Sequence, residues 1–162
     1  MLPATDNRTG LIRRVQIASI MLTATLSLTA FGYWPFEGER ARAKPGTRIK
    51  VDDSQFGKVL YSGRGQAIYY FDREKSKRPR CYGSCAAAWP PVLTKGRPKA
   101  LGKVRQKLLG VTRRKGGGRQ VTYAGHPLYY YAHEPRNVVF CHDVFQFNGL
   151  WLAARASGKP VG

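Results

Sequence analysis

Apolar and polar positions divide the chain into three stretches. From Val15 to Phe36 no residue carries a formal charge, and the densest apolar part runs from Ile17 to Phe31. Arg8, Arg13 and Arg14 precede it, which is how a basic n-region stands before the apolar h-region of a secretory signal. The stretch is nearly long enough to cross a hydrocarbon core, which takes about 20 apolar residues. Ser19, Thr23, Thr25, Ser27 and Thr29 dilute it, which favours a signal over a stable span. Residues 1–36 are therefore expected to be a hydrophobic helix acting as a signal peptide or an N-terminal membrane anchor. Candidate small-residue cleavage sites end at Ala30 and Ala43, and Arg13-Arg14 is a weak hint of twin-arginine export. Residues 37–53 mix charge, Pro and Gly without periodicity and read as a flexible linker, leaving 54–162 as the folded domain.

Within that domain the apolar runs are short and rich in β-branched and aromatic residues. Val59-Leu60-Tyr61 and Ile68-Tyr69-Tyr70-Phe71 flank Ser62-Gly63-Arg64-Gly65, the composition of a hairpin. A second hairpin is expected where 108–114 and 119–123 flank Lys115-Gly116-Gly117-Gly118. Two more strands are expected over 128–131 and 150–153. Helix is scarce. Leu101, Val104 and Leu108 recur at helical spacing and predict about two turns. Residues 84–89 predict one turn, stopped by Pro90-Pro91, because proline cannot continue a helix. The expected fold is mainly β, a β-rich α+β domain with one or two short helices.

The chain also repeats itself. Tyr69-Tyr70-Phe71-Asp72-Arg73-Glu74 and Tyr129-Tyr130-Tyr131-Ala132-His133-Glu134 share the pattern Tyr-x-aromatic-x-x-Glu. An apolar strand ending in Tyr61 or Tyr123 and a Gly-containing turn precede each string. Each glutamate is followed seven residues later by Cys81 or Cys141, and then by Trp89 or Trp151. Such an ordered match indicates two pseudo-repeated hairpin units, too short a series for a solenoid. Alternation along a strand puts Tyr69 and Phe71 on one face, and Tyr129 and Tyr131 likewise. Just past each strand, Glu74 and Glu134 are placed to accept backbone N–H groups of the turn, or a tyrosine hydroxyl of the sister unit. Their alternative role is a convergent cation or acid/base pair.

These residues resemble the bacterial secreted-repeat family, often labelled predicted lipoprotein, with the signature Tyr-x-(Phe/Trp/Tyr)-x-x-Asp. The resemblance spans roughly 56–162 and is most specific at Cys81-Tyr82-Gly83-Ser84-Cys85-Ala86-Ala87-Ala88-Trp89-Pro90-Pro91, Val121-Thr122-Tyr123-Ala124-Gly125-His126-Pro127-Leu128-Tyr129 and Asn148-Gly149-Leu150-Trp151. It implies an extracytoplasmic protein, in the periplasm or cell envelope of a bacterium, and carries no established activity. Glu74 and Glu134 stand where the family has Asp, and no cysteine lies near the apolar segment to accept a lipid.

Charge adds a partner class. The chain holds 28 Lys and Arg against 9 Asp and Glu, for a formal net charge of +19. Cleavage after Ala30 would still leave 25 against 8. A field of this sign favours polyanions. The cations do not interleave with aromatics and no nucleic-acid motif appears, so envelope polyanions, anionic lipid or acidic polysaccharide, are the expected partners rather than nucleic acid. The membrane is a further partner if the N-terminal segment stays uncleaved. The cations concentrate at Lys95, Arg97, Lys99, Lys103, Arg105, Lys107, Arg113, Arg114, Lys115 and Arg119, an interval without a single acid.

Three cysteines allow one bridge in an oxidising compartment. Cys81-x-x-x-Cys85 lacks the C-x-x-C spacing of zinc and redox sites and the following His of a c-type haem site. A local Cys81–Cys85 bridge is one pairing. A bridge from Cys141 to either, tying the units together, is its competitor. His133, Cys141, His142 and Asp143, with His126 and Glu134 nearby, offer the donor types of a copper or iron site, although their spacing fits no ligand motif. No nucleophile elbow and no Gly-rich phosphate loop is present, which argues against hydrolase or kinase activity. The expectation is an exported, non-enzymatic binding or structural module for anionic envelope components, without a cofactor. The rival is a periplasmic redox or metal module built on Cys141, His142 and the tyrosines.

Overall fold

The structure is a computed structural model that describes residues 46–162. The expected signal or anchor over 1–36 and the start of the connector lie outside the described residues. The expected interval 37–53 needs correction at its end. Arg48–Asp52 is not linker but strand β1, antiparallel to β2 (Val59–Ser62) and parallel to β4 (Lys99–Ala100). Its sequence alternates Ile49 and Val51 with charged residues, and Ile49 is fully buried. The alternation is too brief to stand out from the charged context on either side.

The remaining elements are β3 (Tyr69–Phe71), α1 (Ser84–Ala88), β5 (Leu109–Arg113), β6 (Arg119–Tyr123), β7 (His126–Pro127), β8 (Val144–Gln146) and β9 (Gly149–Ala153). Among the described residues the strands form three small sheets, ordered β2-β1-β4, β3-β9-β8 and β5-β6-β7. The fold is mainly β, as its strand-forming composition predicts. The helix α1 is a single turn. It ends at Trp89 because Pro90 and Pro91 follow.

Register shows how far the repeat extends. Ile49 and Val51 of β1 face Ser62 and Leu60 of β2, while Leu109 and Val111 of β5 face Tyr123 and Val121 of β6. The β1–β2 and β5–β6 hairpins are therefore equivalent, and β1 belongs to the first copy. The following turns differ in length. Ser62 reaches Gln66 across Gly63-Arg64-Gly65, whereas Tyr123 reaches His126 across Ala124-Gly125. Tyr61 faces Ala67 as Thr122 faces Pro127, so the counterpart of Tyr61 is Thr122 and not Tyr123. The extra turn residue conceals this shift.

The expected first hairpin holds at its turn, but its two strands enter different sheets, because β3 pairs with β9 rather than with β2. Each copy's hairpin is completed by the other copy's tail. Leu60 N–H donates to Ala154 O (2.7 Å), Ala154 N–H to Ile68 O (2.9 Å), and Ile68 N–H to Leu60 O (3.0 Å). The same ring recurs as Val121 to Val92 (2.8 Å), Val92 to Leu128 (2.9 Å) and Leu128 to Val121 (3.0 Å). On one side, β3 pairs with β9, with Phe71 opposite Trp151. On the other, Tyr130 N–H reaches Pro90 O (2.8 Å) and Ala132 N–H reaches Ala88 O (2.9 Å). Pro90 and Pro91 have no N–H to return, so the strand expected over 128–131 is reduced to bridges from Tyr129 to Tyr69 and to Pro91.

The two helical turns expected from Leu101 to Leu108 are also replaced. Gly102 takes φ +57° and turns the chain, leaving only a 3-10 turn at Gln106–Leu108. The Gln106 side chain accepts from Ala100 N–H (2.8 Å) and donates to Pro98 O (3.1 Å), holding the segment against β4. Val104 is buried while Leu101 is 37% exposed, so the three apolar residues do not share one buried face.

The exchanged β3–β9 pairing leaves no room at the start of β9. A Cβ added to Gly149 would meet side-chain atoms of Phe71, Asp72 and Arg73. Gly149→Ala is expected to lower stability by about 1–3 kcal/mol through overpacking, read from the midpoint of denaturant unfolding.

Candidate functional site

The motif residues meet where the copies join. Tyr69 and Tyr129 pair through their backbones, with N–H to O distances of 2.9 and 3.0 Å, and both are fully buried. From there the side chains cross. The Tyr129 hydroxyl donates to Glu74 Oε1 at 2.7 Å, and the Tyr69 hydroxyl donates to Glu134 Oε1. Each glutamate also gathers the loop that follows it. Glu74 Oε1 accepts from the N–H groups of Arg80 (2.5 Å) and Cys81 (3.3 Å), and Glu134 Oε1 accepts from Phe140 N–H (2.6 Å). Cys141 N–H completes the second set on the Tyr69 hydroxyl at 3.4 Å. The seven-residue spacing from Glu to Cys is thus the length of a loop that curls back onto its own carboxylate. The two roles expected of these glutamates, turn acceptor and partner of the sister tyrosine, coexist on one oxygen.

That leaves the second oxygen of each carboxyl, Oε2, buried without a hydrogen-bond partner among the described residues. Burial raises both carboxyls above the ordinary glutamate range, against the lowering effect of the donated hydrogen bonds. The phenols of Tyr69 and Tyr129 are pushed far up, first by burial and then by the facing carboxylates, so both are donors. Phe71 and Tyr131 complete the motif beside the two tryptophans. Trp89 and Trp151 stack at 4.0 Å, Phe71 lies flat on the sister Trp151 at 4.3 Å, and Tyr131 leans on the sister Trp89 at 4.9 Å. Tyr69 and Tyr129 meet Trp89 and Trp151 edge-on, each at 5.3 Å. Gln146 serves both indoles. Its Oε1 accepts from Trp89 Nε1 at 2.9 Å and its carbonyl from Trp151 Nε1 at 3.2 Å.

Cys81 and Cys85 form a disulfide, and Cys141 is free, which decides between the open pairings. Burial, then the charge of Glu134, pushes the Cys141 thiol up to about 11, away from thiolate reactivity. The proposed donor cluster does not form. Among the described residues no three His, Cys, Asp or Glu side chains converge to hold a metal ion. The three histidines are engaged separately. The His142 ring meets Phe56 edge-on at 4.6 Å, its Nδ1 accepts from Ala153 N–H at 3.4 Å, and burial lowers its pKa. His133 packs on Tyr131 at 5.7 Å, and Asp143 occupies a positive-φ position ahead of β8. His126 sits on Tyr70 at 5.4 Å and bonds Glu74 O through Nδ1 at 2.9 Å.

The ten basic residues between Lys95 and Arg119 do not share one concavity. Arg114 is half-buried. It donates to Gln120 Oε1 and Cys81 O, each at 2.6 Å, and lies 4.3 Å over the Tyr82 ring. Arg105 binds the carbonyls of Ala156 and Ser157, and Arg119 binds Lys95 O at 3.0 Å. Arg97 and Lys99 line one surface hollow, and Lys95 and Arg119 another. The residues missed from sequence line a separate cleft of about 500 Å³, whose walls include Arg48, Arg64, Arg136, Tyr130, Ser62 and Gln66. Nothing in their spacing signals it.

Comparison with known proteins agrees with the geometry on one point. A family model described as a secreted repeat of unknown function matches residues 50–93. That segment is the first structural copy, from within β1 to the residues just after Pro91. The match supports an extracellular or envelope location. No curated protein and no solved structure matches the chain significantly.

Removing one crossed bond tests its weight. Tyr129→Phe is expected to cost about 1.5–3 kcal/mol, the value of a hydrogen bond to a charged group, measured by denaturant unfolding. The glutamates also predict a pH dependence. Their folded pKa values exceed the unfolded ones, so the stability they contribute is complete below about pH 4 and declines as pH rises through the raised values. Relative to Glu74→Gln/Glu134→Gln, the wild-type melting temperature should therefore fall as pH is raised from about 4 to 8.

Proposed function

We propose that this chain is an exported, non-enzymatic module that binds anionic components of the cell envelope. The observation that carries this reading is the uncompensated charge of the described residues. Residues 46–162 hold 22 of the 28 Lys and Arg but only 6 of the 9 Asp and Glu. Glu74 and Glu134 are buried within the fold and lend nothing to the surface. Among the described residues the ion pairs are Lys50–Asp52 and Lys58–Asp53, which leaves the great majority of cations without a carboxylate partner. A folded surface of this kind lowers its electrostatic energy by meeting a polyanion. Export adds support, since the first copy matches a secreted repeat and a disulfide fits an oxidising compartment. The chemistry of such a role requires no catalytic group, only a rigid cationic scaffold.

Cosedimentation of the full chain with phosphatidylglycerol vesicles, with phosphatidylcholine vesicles as control, tests the proposal, and an acidic polysaccharide serves as a second ligand. Preferential binding is expected at low salt, weakening as ionic strength rises because the Debye length shrinks to about 8 Å at physiological salt. Equal binding to charged and neutral surfaces at physiological salt would overturn it.

A further inference from the structure

The two copies are near matches in the core but not around the turn that follows each hairpin. In the second copy the turn Ala124-Gly125 is covered. The chain's C-terminal turn folds over it, and a Cβ at Gly158 would meet the side chains of Ala124 and Leu108. The carbonyl of Gly158 accepts the Tyr70 hydroxyl at 3.4 Å. Leu108, Ala124 and Tyr70 thus wall a site filled by the protein itself.

The first copy has the same site with different chemistry. By the registers of the hairpins, Arg48 stands where Leu108 does, Gly63-Arg64-Gly65 replaces Ala124-Gly125, and Tyr130 stands where Tyr70 does. Here the described chain leaves a cleft of about 500 Å³, within the usual range of small-ligand pockets. Arg48, Arg64 and Arg136 line it, no Asp or Glu does, and none of the three guanidiniums pairs with a carboxylate among the described residues. Arginine stays protonated at physiological pH, so the cleft keeps all three charges.

The cleft is also held in shape. Gly65 takes φ +89° and accepts the Asn137 N–H at 2.7 Å, which ties the turn bearing Arg64 to the loop bearing Arg136. Thr47 fixes another wall, donating from its hydroxyl to Leu93 O at 2.7 Å and from its N–H to Thr94 Oγ1 at 3.0 Å. The Ser62 hydroxyl accepts from the N–H groups of Arg64 and Gln66. Tyr130 adds a phenol that burial raises to about 12, so it is a hydrogen-bond donor at physiological pH.

We propose that Arg48, Arg64, Arg136 and Tyr130 form a binding site for a phosphate ester, with guanidiniums and phenol gripping its oxygens. The planar guanidinium fork matches phosphate oxygens in pairs, and three cations lining one cleft favour a multiply charged oxyanion over a single carboxylate. The inference deepens the reading of the protein as a binder of anionic envelope components and rests on it for its choice of probes. It places recognition in a formed site rather than in the diffuse field of the 95–119 stretch.

Two probes separate the sources of the phosphate: free glycerol phosphate, followed by titration calorimetry, and phosphatidylglycerol vesicles, followed by cosedimentation. The full chain is compared with Arg48→Gln/Arg64→Gln/Arg136→Gln and with Lys75→Gln/Lys77→Gln/Arg78→Gln, which removes the same charge from exposed positions outside the cleft. The cleft arginines are exposed, so both variants should melt at the wild-type temperature. The expected result is saturable binding that weakens at least about tenfold in the cleft variant and at most about twofold in the control. Selective loss with glycerol phosphate names a soluble ester, and selective loss with vesicles alone names a lipid headgroup. Equal weakening of both variants overturns the site while leaving the broader binding role in place. Failure of the wild type to bind either probe overturns the phosphate site, and the broader role falls with it only if the acidic polysaccharide is not bound either.

Discussion

A phenol from each copy donates to a buried carboxylate of the other, and the interior is arranged around that exchange. Glu74 and Glu134 sit where a charge is expensive, and the donors that make them tolerable come from two directions. One is the loop that follows each glutamate. The other is the tyrosine of the sister strand. The carboxylate is therefore the joint at which a copy fixes its own loop and grips its neighbour. The backbone pairing of Tyr69 with Tyr129 sets the spacing across which both hydroxyls reach, and the stacked Trp89 and Trp151 pack against both rings. Each tyrosine hydroxyl thus links a strand of one copy to the carboxylate that holds the other copy's loop.

Much of this could be read along the chain. The apolar runs that became β2, β3, β5, β6 and β9 are compact and bounded by glycine-rich turns, and α1 stops at its prolines. The motif glutamates carried two candidate roles because a carboxylate just past a strand has few other donors in reach. Other features were hidden for physical reasons. β1 has only Ile49 and Val51 to signal it. The one-residue shift between Tyr61 and Thr122 depends on turn length, which apolar patterning does not encode. Helical spacing of Leu101, Val104 and Leu108 was overridden by Gly102. His133, Cys141, His142 and Asp143 are neighbours in sequence, yet among the described residues no three such donors converge, and His133 and His142 pack on different aromatic rings. Arg48, Arg64 and Arg136 are the reverse case, distant in sequence and brought to one cleft only by tertiary structure.

The copies are alike around the contact between them and differ in the loops away from it. Trp89 stacks on its counterpart Trp151, Tyr69 pairs with its counterpart Tyr129, and Phe71 on Trp151 mirrors Tyr131 on Trp89. Away from that contact the loops differ. The first copy carries α1 and the Cys81–Cys85 bridge, while the second leaves Cys141 free and folds β8 against β9. The same division separates a turn plugged by the C-terminal residues from a turn open to solvent among arginines.

The exchanged tails carry a consequence for how such a protein could arise. Each three-residue backbone ring takes two members from one copy and the third from the other, Ala154 in one case and Val92 in the other. A chain bearing a single copy would leave its hairpin short of one partner and its own tail without a place to bind. Two such chains could satisfy each other by swapping tails. Residues 46–162 hold both sides of that exchange in one chain, so each half has its missing partner at hand and keeps its own loops and surface.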